Sequence, residues 1–555
     1  MTTDRPVRIV ILGGGFAGIS TATELGRRAR RDPNIEVHLV SDENYFVFQP
    51  LLPEVVACGI EAGHILNPIR QLCRGVRFHC ATVDSIDLAN RSVKLVGADT
   101  RRRQSLDYDH LVMGLGLTMD LSRNPGMTEH SLPIKTLGDA FHLRNHILSR
   151  LEEADIEPDD VTRRKLLTVI AVGGGFSGVE TVAEINDMIK SVLKYYPRAR
   201  ATGPRVVLVH SRDRILNELD AGLAEFAERK LRSRGVEIIL NERVQEATAD
   251  GIVLGSGRAL EAATVICTVG NSPHPLIPKT KLPQDKGRLL VDECLRVKGS
   301  EHIWSLGDSA MVPDVRRGGF CPPTAQYAMR QGRRAAQNIL ATIHGKNPQP
   351  FVFGGLGQLA VVGRHCGVAQ IMGVKMAGFF AWWLWRSVYW MKLPGLRCKV
   401  RVGIDWALDL LFPRDITKLA MQRTEKLRRA HYRAGDTIFR QGDIGDRFFI
   451  IESGEVEVLV DQNDQPPKRL ATRGAGEYFG EVALLKRVPR MATVRCMTAV
   501  DVVTFTQQDF QMLVGSYTAF RRNLERDIED RLRELPDSAA KTVRDVLAAP
   551  EPGSG

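Results

Sequence analysis

With 555 residues, 43% hydrophobic and 25% charged, the chain lies in the globular range and is long enough for about three or four domains, which excludes a disordered or fibrous protein. A formal net charge of +11 favours anionic partners, but no zinc-finger spacing, helix-turn-helix signature or aromatic-rich RNA motif occurs, so nucleic acid is not expected. Nine cysteines without a CxxC pair read as reduced thiols, and the polar start Thr2 to Arg8 runs into an apolar strand with no cleavable apolar segment, so export is not expected.

In chain order, an apolar strand over 7–12 leads into Gly13-Gly14-Gly15-Phe16-Ala17-Gly18 and a helical segment, Ile19 to Arg28. The pattern recurs as a strand over 167–172, then Gly173-Gly174-Gly175-Phe176-Ser177-Gly178, then a helix from Val179. One glycine cluster serves many turns, but two in strand–loop–helix context predict two Rossmann-like nucleotide-binding folds. In each, the first glycine (Gly13, Gly173) permits the tight turn, the second (Gly15, Gly175) admits a pyrophosphate, and the third (Gly18, Gly178) allows close helix packing. A ribose-binding acid is expected to close the following strand. The first fold has Ser41 there, with Asp42 next, so either can serve; the second has His210-Ser211-Arg212 and no carboxylate. An acid favours NADH and an arginine accommodates the NADPH phosphate, so both nicotinamides remain open, with Arg212 the candidate phosphate ligand.

A mixed-charge helix is expected from Thr136 to Ala154, a strand ending at Gly307-Asp308, and a helix from Thr324 to Ile343. From Met376 to Met391 the chain is almost wholly apolar and aromatic, interrupted by Arg386 and flanked by Lys375 and Lys392. The run is shorter than the about 20 residues a spanning helix needs, and so predicts an interfacial element; a dimer interface or a core helix has the same composition. A basic helical connector, Ile416 to Arg429, precedes a regime of short β-type runs and glycine turns that predicts a small β-roll, then a charged helix from Phe520 to Leu535 and a polar tail.

Residues 1 to about 425 resemble the type II NADH dehydrogenases, single-chain NADH:quinone oxidoreductases. The resemblance rests on the two glycine loops, Asn44-Tyr45-Phe46-Val47-Phe48-Gln49-Pro50-Leu51-Leu52, Gly178-Val179-Glu180, Gly307-Asp308 and Thr324 to Gly332. It implies FAD on the first loop, with Gln49 and Asp308 among its ligands, and NADH or NADPH on the second, with Glu180 near the nicotinamide. It also implies a quinone beside a pair of glutamines four residues apart, where this chain has Gln326 but Arg330. C-terminal helices would seat the enzyme peripherally on the cytoplasmic side of a membrane, where Trp382, Trp383, Trp385 and Trp390 with nearby lysines and arginines suit an anionic lipid surface. A homodimer fits the same family.

Residues from about 425 to 535 resemble the cyclic-nucleotide-binding domains, through Arg433 to Asp443 and the cassette Phe479-Gly480-Glu481-Val482-Ala483-Leu484-Leu485 with Pro489-Arg490-Met491-Ala492-Thr493. The resemblance implies that Gly480 starts a phosphate-facing helix, Arg490 pairs with the phosphate and Glu481 accepts from the ribose, with Thr493 beside them; cAMP is favoured over cGMP. The expected fold class is α/β, with segments 1–160 and 286–350 binding FAD, 161–285 binding NAD(P)H, 351–430 as membrane-interface region and connector, 431–535 as the β-roll with helices and 536–555 as a disordered tail. The expected activity is two-electron transfer from NAD(P)H through FAD to a quinone, modulated by a cyclic nucleotide. A soluble reductase of another acceptor, or a regulatory binding protein with a vestigial flavin site, are the alternatives.

Overall fold

The computed structural model describes residues 5–97, 103–122, 124–418, 428–443, 445, 447–462, 465–486 and 489–506. The chain divides into two compact units, residues 1–419 and 420–555.

The first unit is built on two sheets whose central strands are continuous apolar runs, as strands covered on both faces require. Val7–Leu12 pairs in parallel with Ile35–Ser41 on one side and His110–Met113 on the other. Ile303–Ser305 and Arg77–Asp87 extend the parallel part, and Ser92–Gly97 and Arg103–Asp107 add an antiparallel edge, giving seven strands. The strand before Gly307-Asp308 thus returns to the sheet that begins the chain, although some 290 residues separate the two in sequence.

The second sheet has five parallel strands in the order Leu132–Pro133, Thr264–Cys267, Thr168–Val172, Arg205–Val209 and Val236–Ile239. Leu117–Met119 and Asn271–Pro273 pair between the two folds as a short ribbon. The helix expected from Thr136 spans Leu137–Ile156, with a capping box between Thr136 and Asp139. Ala325–Ile343 crosses Phe16–Ala29 so closely that a Cβ on Gly332 would lie 2.6 Å from the Ala17 carbonyl oxygen.

Beyond residue 356 the structure differs from expectation in two places. Gly357–Val361, Gly367–Ile371 and Val374–Gly378 form an antiparallel three-stranded sheet that the sequence reading did not anticipate. The aromatic run therefore begins as a strand and becomes the helix Phe379–Lys392, followed by the helix Leu396–Leu411. The connector expected to be helical is irregular at Ile416 to Lys418 and opens a strand at Arg428; its middle lies outside the described residues, as do the helix expected over 520–535 and the tail.

The second unit is a pair of four-stranded antiparallel sheets, with Phe449, Ile451, Val456, Phe479, Val494, Val500 and Val502 in its core. A short helix, Glu481–Lys486, follows Phe479.

Candidate functional site

The two glycine loops are built alike. Gly13 and Gly173 hold φ of +106° and +118°, open to glycine at little cost. A Cβ on Gly18 would lie 1.9 Å from the Gly13 carbonyl oxygen, and one on Gly178 1.8 Å from that of Gly173, so each helix packs directly on its own turn. Around Gly15 and Gly175 nothing lies within 4 Å of an added Cβ. The open space falls where the backbone N–H groups of a helix N-terminus point outward, the geometry that receives a pyrophosphate.

In front of the first loop lies a cavity of about 930 Å³. Its wall includes Gly13 and Gly15, Ser41 and Asp42, Gln49, Lys135, Asp308 and Tyr389, and from the second fold Ser177, Glu180 and His274. The cavity is large enough for a dinucleotide with a fused-ring head, and it reaches from the first glycine loop to the first turn of the second helix. Both Ser41 and Asp42 face it, so the strand end offers both ribose ligands the sequence left open.

Asp308 sits on a tight turn that Gln331 fixes: its side-chain oxygen accepts the Gly307 N–H at 2.8 Å. Burial raises the Asp308 carboxyl above its ordinary range, while Lys135 and Arg288 oppose the shift. Gln49 donates to the Lys135 carbonyl at 3.4 Å.

Glu180 is 6% exposed, at the point where the second helix meets the cavity. Its Oε1 accepts from the Val361 N–H and from the Trp385 indole N–H, each at 3.1 Å. Burial pushes its carboxyl up to about 8, against those two hydrogen bonds, with Glu184 and Glu54 adding to the rise. A carboxyl so placed holds a proton near neutral pH, as a general acid must.

Gln326 and Arg330 occupy another position. The Gln326 amide donates to the Gly357 carbonyl at 3.0 Å and accepts the Leu356 N–H at 3.1 Å, so its amide ties the helix to the loop before the three-stranded sheet. Arg330 donates to the Gln326 carbonyl and lies 4.2 Å over the Phe353 ring. Neither belongs to the cavity wall, which this helix reaches through Ala325 and Ala328.

At the second loop, His210 stands where an acid would close the strand. Its Nδ1 accepts the Gly174 N–H at 3.0 Å, and its Nε2 faces the Asn217 amide at 3.0 Å, so both ring nitrogens are engaged within the protein. Arg212, two residues on, is exposed.

In the second unit a cavity of about 130 Å³ is lined by Gly480, Glu481 and Arg490 together with apolar side chains, among them Phe439, Val458, Leu470 and Met491. Arg490 is 4% exposed; its guanidinium donates to the carbonyls of Gly480 (2.9 Å) and Arg447 (2.7 Å) and covers the Phe439 ring at 4.1 Å. Thr493 is not part of this wall; its hydroxyl accepts the Gln441 N–H at 3.0 Å.

Sequence reasoning passed over Lys135, Tyr389 and Gln331, whose roles depend on contacts between distant segments. It also passed over Glu54, although a lone acid inside Leu51-Leu52-Pro53-Glu54-Val55-Val56 was a visible signal.

Two facing dinucleotide folds sharing one cavity define a flavin- and nicotinamide-dependent oxidoreductase. Residues 7–332 match the pyridine nucleotide-disulphide oxidoreductases, 356–415 the NDH2 C-terminal domain, and 429–517 the cyclic nucleotide-binding domain. The chain is 30% identical over 419 residues to a probable NADH dehydrogenase of Dictyostelium discoideum, spanning 74% of this chain and 91% of the relative. It is 32% identical over 415 residues to the demethylphylloquinone reductase NdbB of Synechocystis, spanning 73% and 96%. NDH2 from Plasmodium falciparum, solved with NADH, superposes with a TM-score of 0.70 at 20% identity, over 75% of this chain and all of that one. The chain belongs to the type II NADH dehydrogenases, within the pyridine nucleotide-disulphide oxidoreductase family, with a cyclic nucleotide-binding domain at its C-terminal end. Its cofactors are FAD and NAD(P)H. The cradle at Gly15, the helix N-terminus and the 930 Å³ cavity fit the first.

Proposed function

We infer that this protein passes two electrons from NAD(P)H to a membrane-dissolved quinone, and that a cyclic nucleotide modulates it. The observation that carries the reading is the single cavity walled by the first glycine loop, by Glu180 and Ser177 of the second fold, and by Tyr389 of the C-terminal helices. FAD in that cavity supplies two-electron chemistry; Gly13, Gly15, Gly18, Asp42, Gln49 and Asp308 would hold it. Gly173, Gly175 and Gly178 would seat the nicotinamide dinucleotide, and Glu180 keeps a proton at the place where the two folds meet.

The helices support action at a membrane surface. Leu396, Val400, Ile404, Leu408 and Leu411 recur at helical spacing and are all exposed, as are Phe379, Phe380, Trp383 and Trp390 on the preceding helix, whereas Trp382 and Trp385, expected at the same lipid surface, are buried in the protein. An apolar face of this extent beside Lys392, Arg397 and Arg401 suits a helix lying in an anionic lipid interface on the cytoplasmic face. Among the described residues no helix is long and apolar enough to cross a membrane. The same face would also serve a homodimer.

Glu481 and Arg490, brought to one small cavity in the second unit, support a cyclic nucleotide, cAMP before cGMP, as the modulator. The test is oxidation of NADH and of NADPH by the purified holoprotein with a soluble quinone, with and without cAMP, alongside co-sedimentation with anionic vesicles. Quinone-dependent turnover, vesicle binding and a cAMP-dependent rate are expected. Turnover with ferricyanide but with no quinone would defeat the quinone reading.

A further inference from the structure

Glu180 is one of two buried carboxyls that the C-terminal helices reach. Glu54, on the short helix Leu52–Val56, is 5% exposed, and its Oε2 accepts the indole N–H of Trp406 at 2.5 Å. Glu180 accepts the indole N–H of Trp385 at 3.1 Å. The two tryptophans come from successive helices, Phe379–Lys392 and Leu396–Leu411, and their rings lie 6.4 Å apart. Trp385 also packs on Tyr389, at 4.4 Å between ring centres, and Tyr389 lines the cavity on which Glu180 opens. An indole N–H can only donate, so each tryptophan binds one carboxyl oxygen and leaves the other able to carry a proton.

The charges around these two groups do not balance. Arg414 is held by Glu184 at 2.8 Å and Asp409 at 3.3 Å, with its other N–H groups on the carbonyls of Ala57 and Glu184. Arg386 lies 3.7 Å from Asp409 and over the rings of Trp382 and Trp406. Arg364 donates to the Asp409 carbonyl. Three guanidinium groups therefore lie among four acids, Glu54, Glu180, Glu184 and Asp409, and the ion pairs they form are with Glu184 and Asp409. A buried carboxylate outside an ion pair is costly, so burial favours the protonated form of the remaining two, with Arg386 and Arg414 opposing it at Glu54. Burial pushes Glu54 up to about 7 and Glu180 up to about 8.

We propose that Trp385 and Trp406 are positioning residues for a buried proton donor, Trp385 aiming Glu180 at the cavity wall and Trp406 holding Glu54 behind it, in the conversion of quinone to quinol. The proposal rests on the quinone reading above. In the net reaction NAD(P)H supplies both electrons and one hydrogen, and one further proton must come from solvent. The Glu180 O–H bond breaks, its proton goes to the quinone oxygen, and the carboxylate left behind is re-protonated as quinol leaves. Glu54 tunes how readily Glu180 gives and regains that proton.

The test compares Trp385→Phe, Trp406→Phe and Glu54→Gln in the holoenzyme, with quinone and with ferricyanide, which takes electrons without taking a proton. Trp385→Phe removes a donor that favours the ionised Glu180, so the basic limb of the quinone pH profile moves up. Glu54→Gln removes a neighbouring negative charge and moves the limb down; Trp406→Phe keeps Glu54 neutral to higher pH and moves it the same way. At pH 7 Trp385→Phe is expected to slow quinone reduction about 10-fold, below the roughly 10²–10⁴-fold that general acid catalysis supplies, with a clearly smaller fall in ferricyanide reduction.

A readout independent of turnover is the Glu180 component of the infrared carboxyl absorption of the oxidised holoenzyme, the part lost in Glu180→Gln, which shifts in Trp385→Phe as its hydrogen bond is lost. An unshifted band together with unmoved pH limbs overturns the proposal, as does an equal fall with both acceptors. If Trp385→Phe does not fold, unmoved limbs in Trp406→Phe and Glu54→Gln overturn it equally. Wild-type enzyme that reduces ferricyanide but no quinone defeats the quinone reading instead, leaving the infrared band to judge whether the tryptophans position Glu180.

Discussion

His210 closes a strand whose end ordinarily offers a carboxylate to a ribose, and its two nitrogens are already engaged with Gly174 and Asn217. The His210 ring therefore has no free acceptor for a 2′-hydroxyl, whereas the exposed Arg212 nearby can meet a 2′-phosphate. NADPH is therefore the expected better donor. Hydrogen bonds to charged groups contribute about 1.5–3 kcal/mol, so Arg212→Ala should raise the KM for NADPH by about 10- to 100-fold and leave NADH nearly unaffected, in initial-rate assays with both donors. Glu180 makes a different prediction. Its carboxyl rises from 4.5 unfolded to about 8 folded, so between those values the folded protein binds more protons than the unfolded chain, and stability falls as pH rises through that window. Glu180→Gln should flatten this slope in thermal unfolding followed from pH 5 to 8, gaining relative stability at the alkaline end. The glycine loops were legible in the sequence from their spacing, and the family resemblance pointed to Asp308 and Glu180, which lie on the cavity wall. The engagement of Gln326 with Leu356 and Gly357, and of Gln331 with Gly307, was not, because a glutamine on a helix reads alike whether it faces a ligand or a distant backbone.

Elements were most legible where periodicity and punctuation agreed. The strand–glycine–helix units and the helix Ala325–Ile343 announced themselves, as did the β-roll with its regular glycine turns. The sheet over 357–378 did not: its three strands are five residues each, interrupted by Gly363 and Gly373, and its last strand continues without a polar break into the aromatic helix. That sheet supplies the Val361 N–H to Glu180, so the missed element is also a missed part of the site. Arg414 shows how the chain end of the first unit locks these elements together. It is buried and bonded to Ala57, Glu184 and Asp409, on three separate segments. Arg414→Met leaves Glu184 and Asp409 buried without this partner, and removal of one member of a buried pair typically costs about 3–5 kcal/mol. The variant should lose about that much in denaturant unfolding of the first unit, while Lys375→Met, which breaks an exposed pair with Asp220, should lose less than about 1 kcal/mol.

At the scale of the whole molecule the two units test each other. A cyclic nucleotide that binds the folded second unit stabilises it by mass action, about 2.7 kcal/mol at a concentration 100-fold above its dissociation constant. Arg490 is the residue to remove, since its guanidinium is buried in the small cavity and nothing else on that wall carries a cation apart from Arg473. Calorimetry of the full chain with saturating cAMP should therefore raise the unfolding transition of the second unit and leave it unmoved in Arg490→Leu. Whether the enzyme responds depends on a separate quantity, the free energy coupling the two sites, and coupling is reciprocal for binding. If cAMP alters the affinity for NAD(P)H by some factor, then NAD(P)H must alter the affinity for cAMP by the same factor. The full chain should bind a fluorescent cAMP analogue with a dissociation constant that shifts when NAD(P)H is added anaerobically. A shift equal to the change cAMP makes in nicotinamide affinity, lost in Arg490→Leu, identifies a sensor fused to its enzyme. Binding of the analogue with no shift in either direction identifies a second unit that binds its nucleotide without controlling nicotinamide binding in the first.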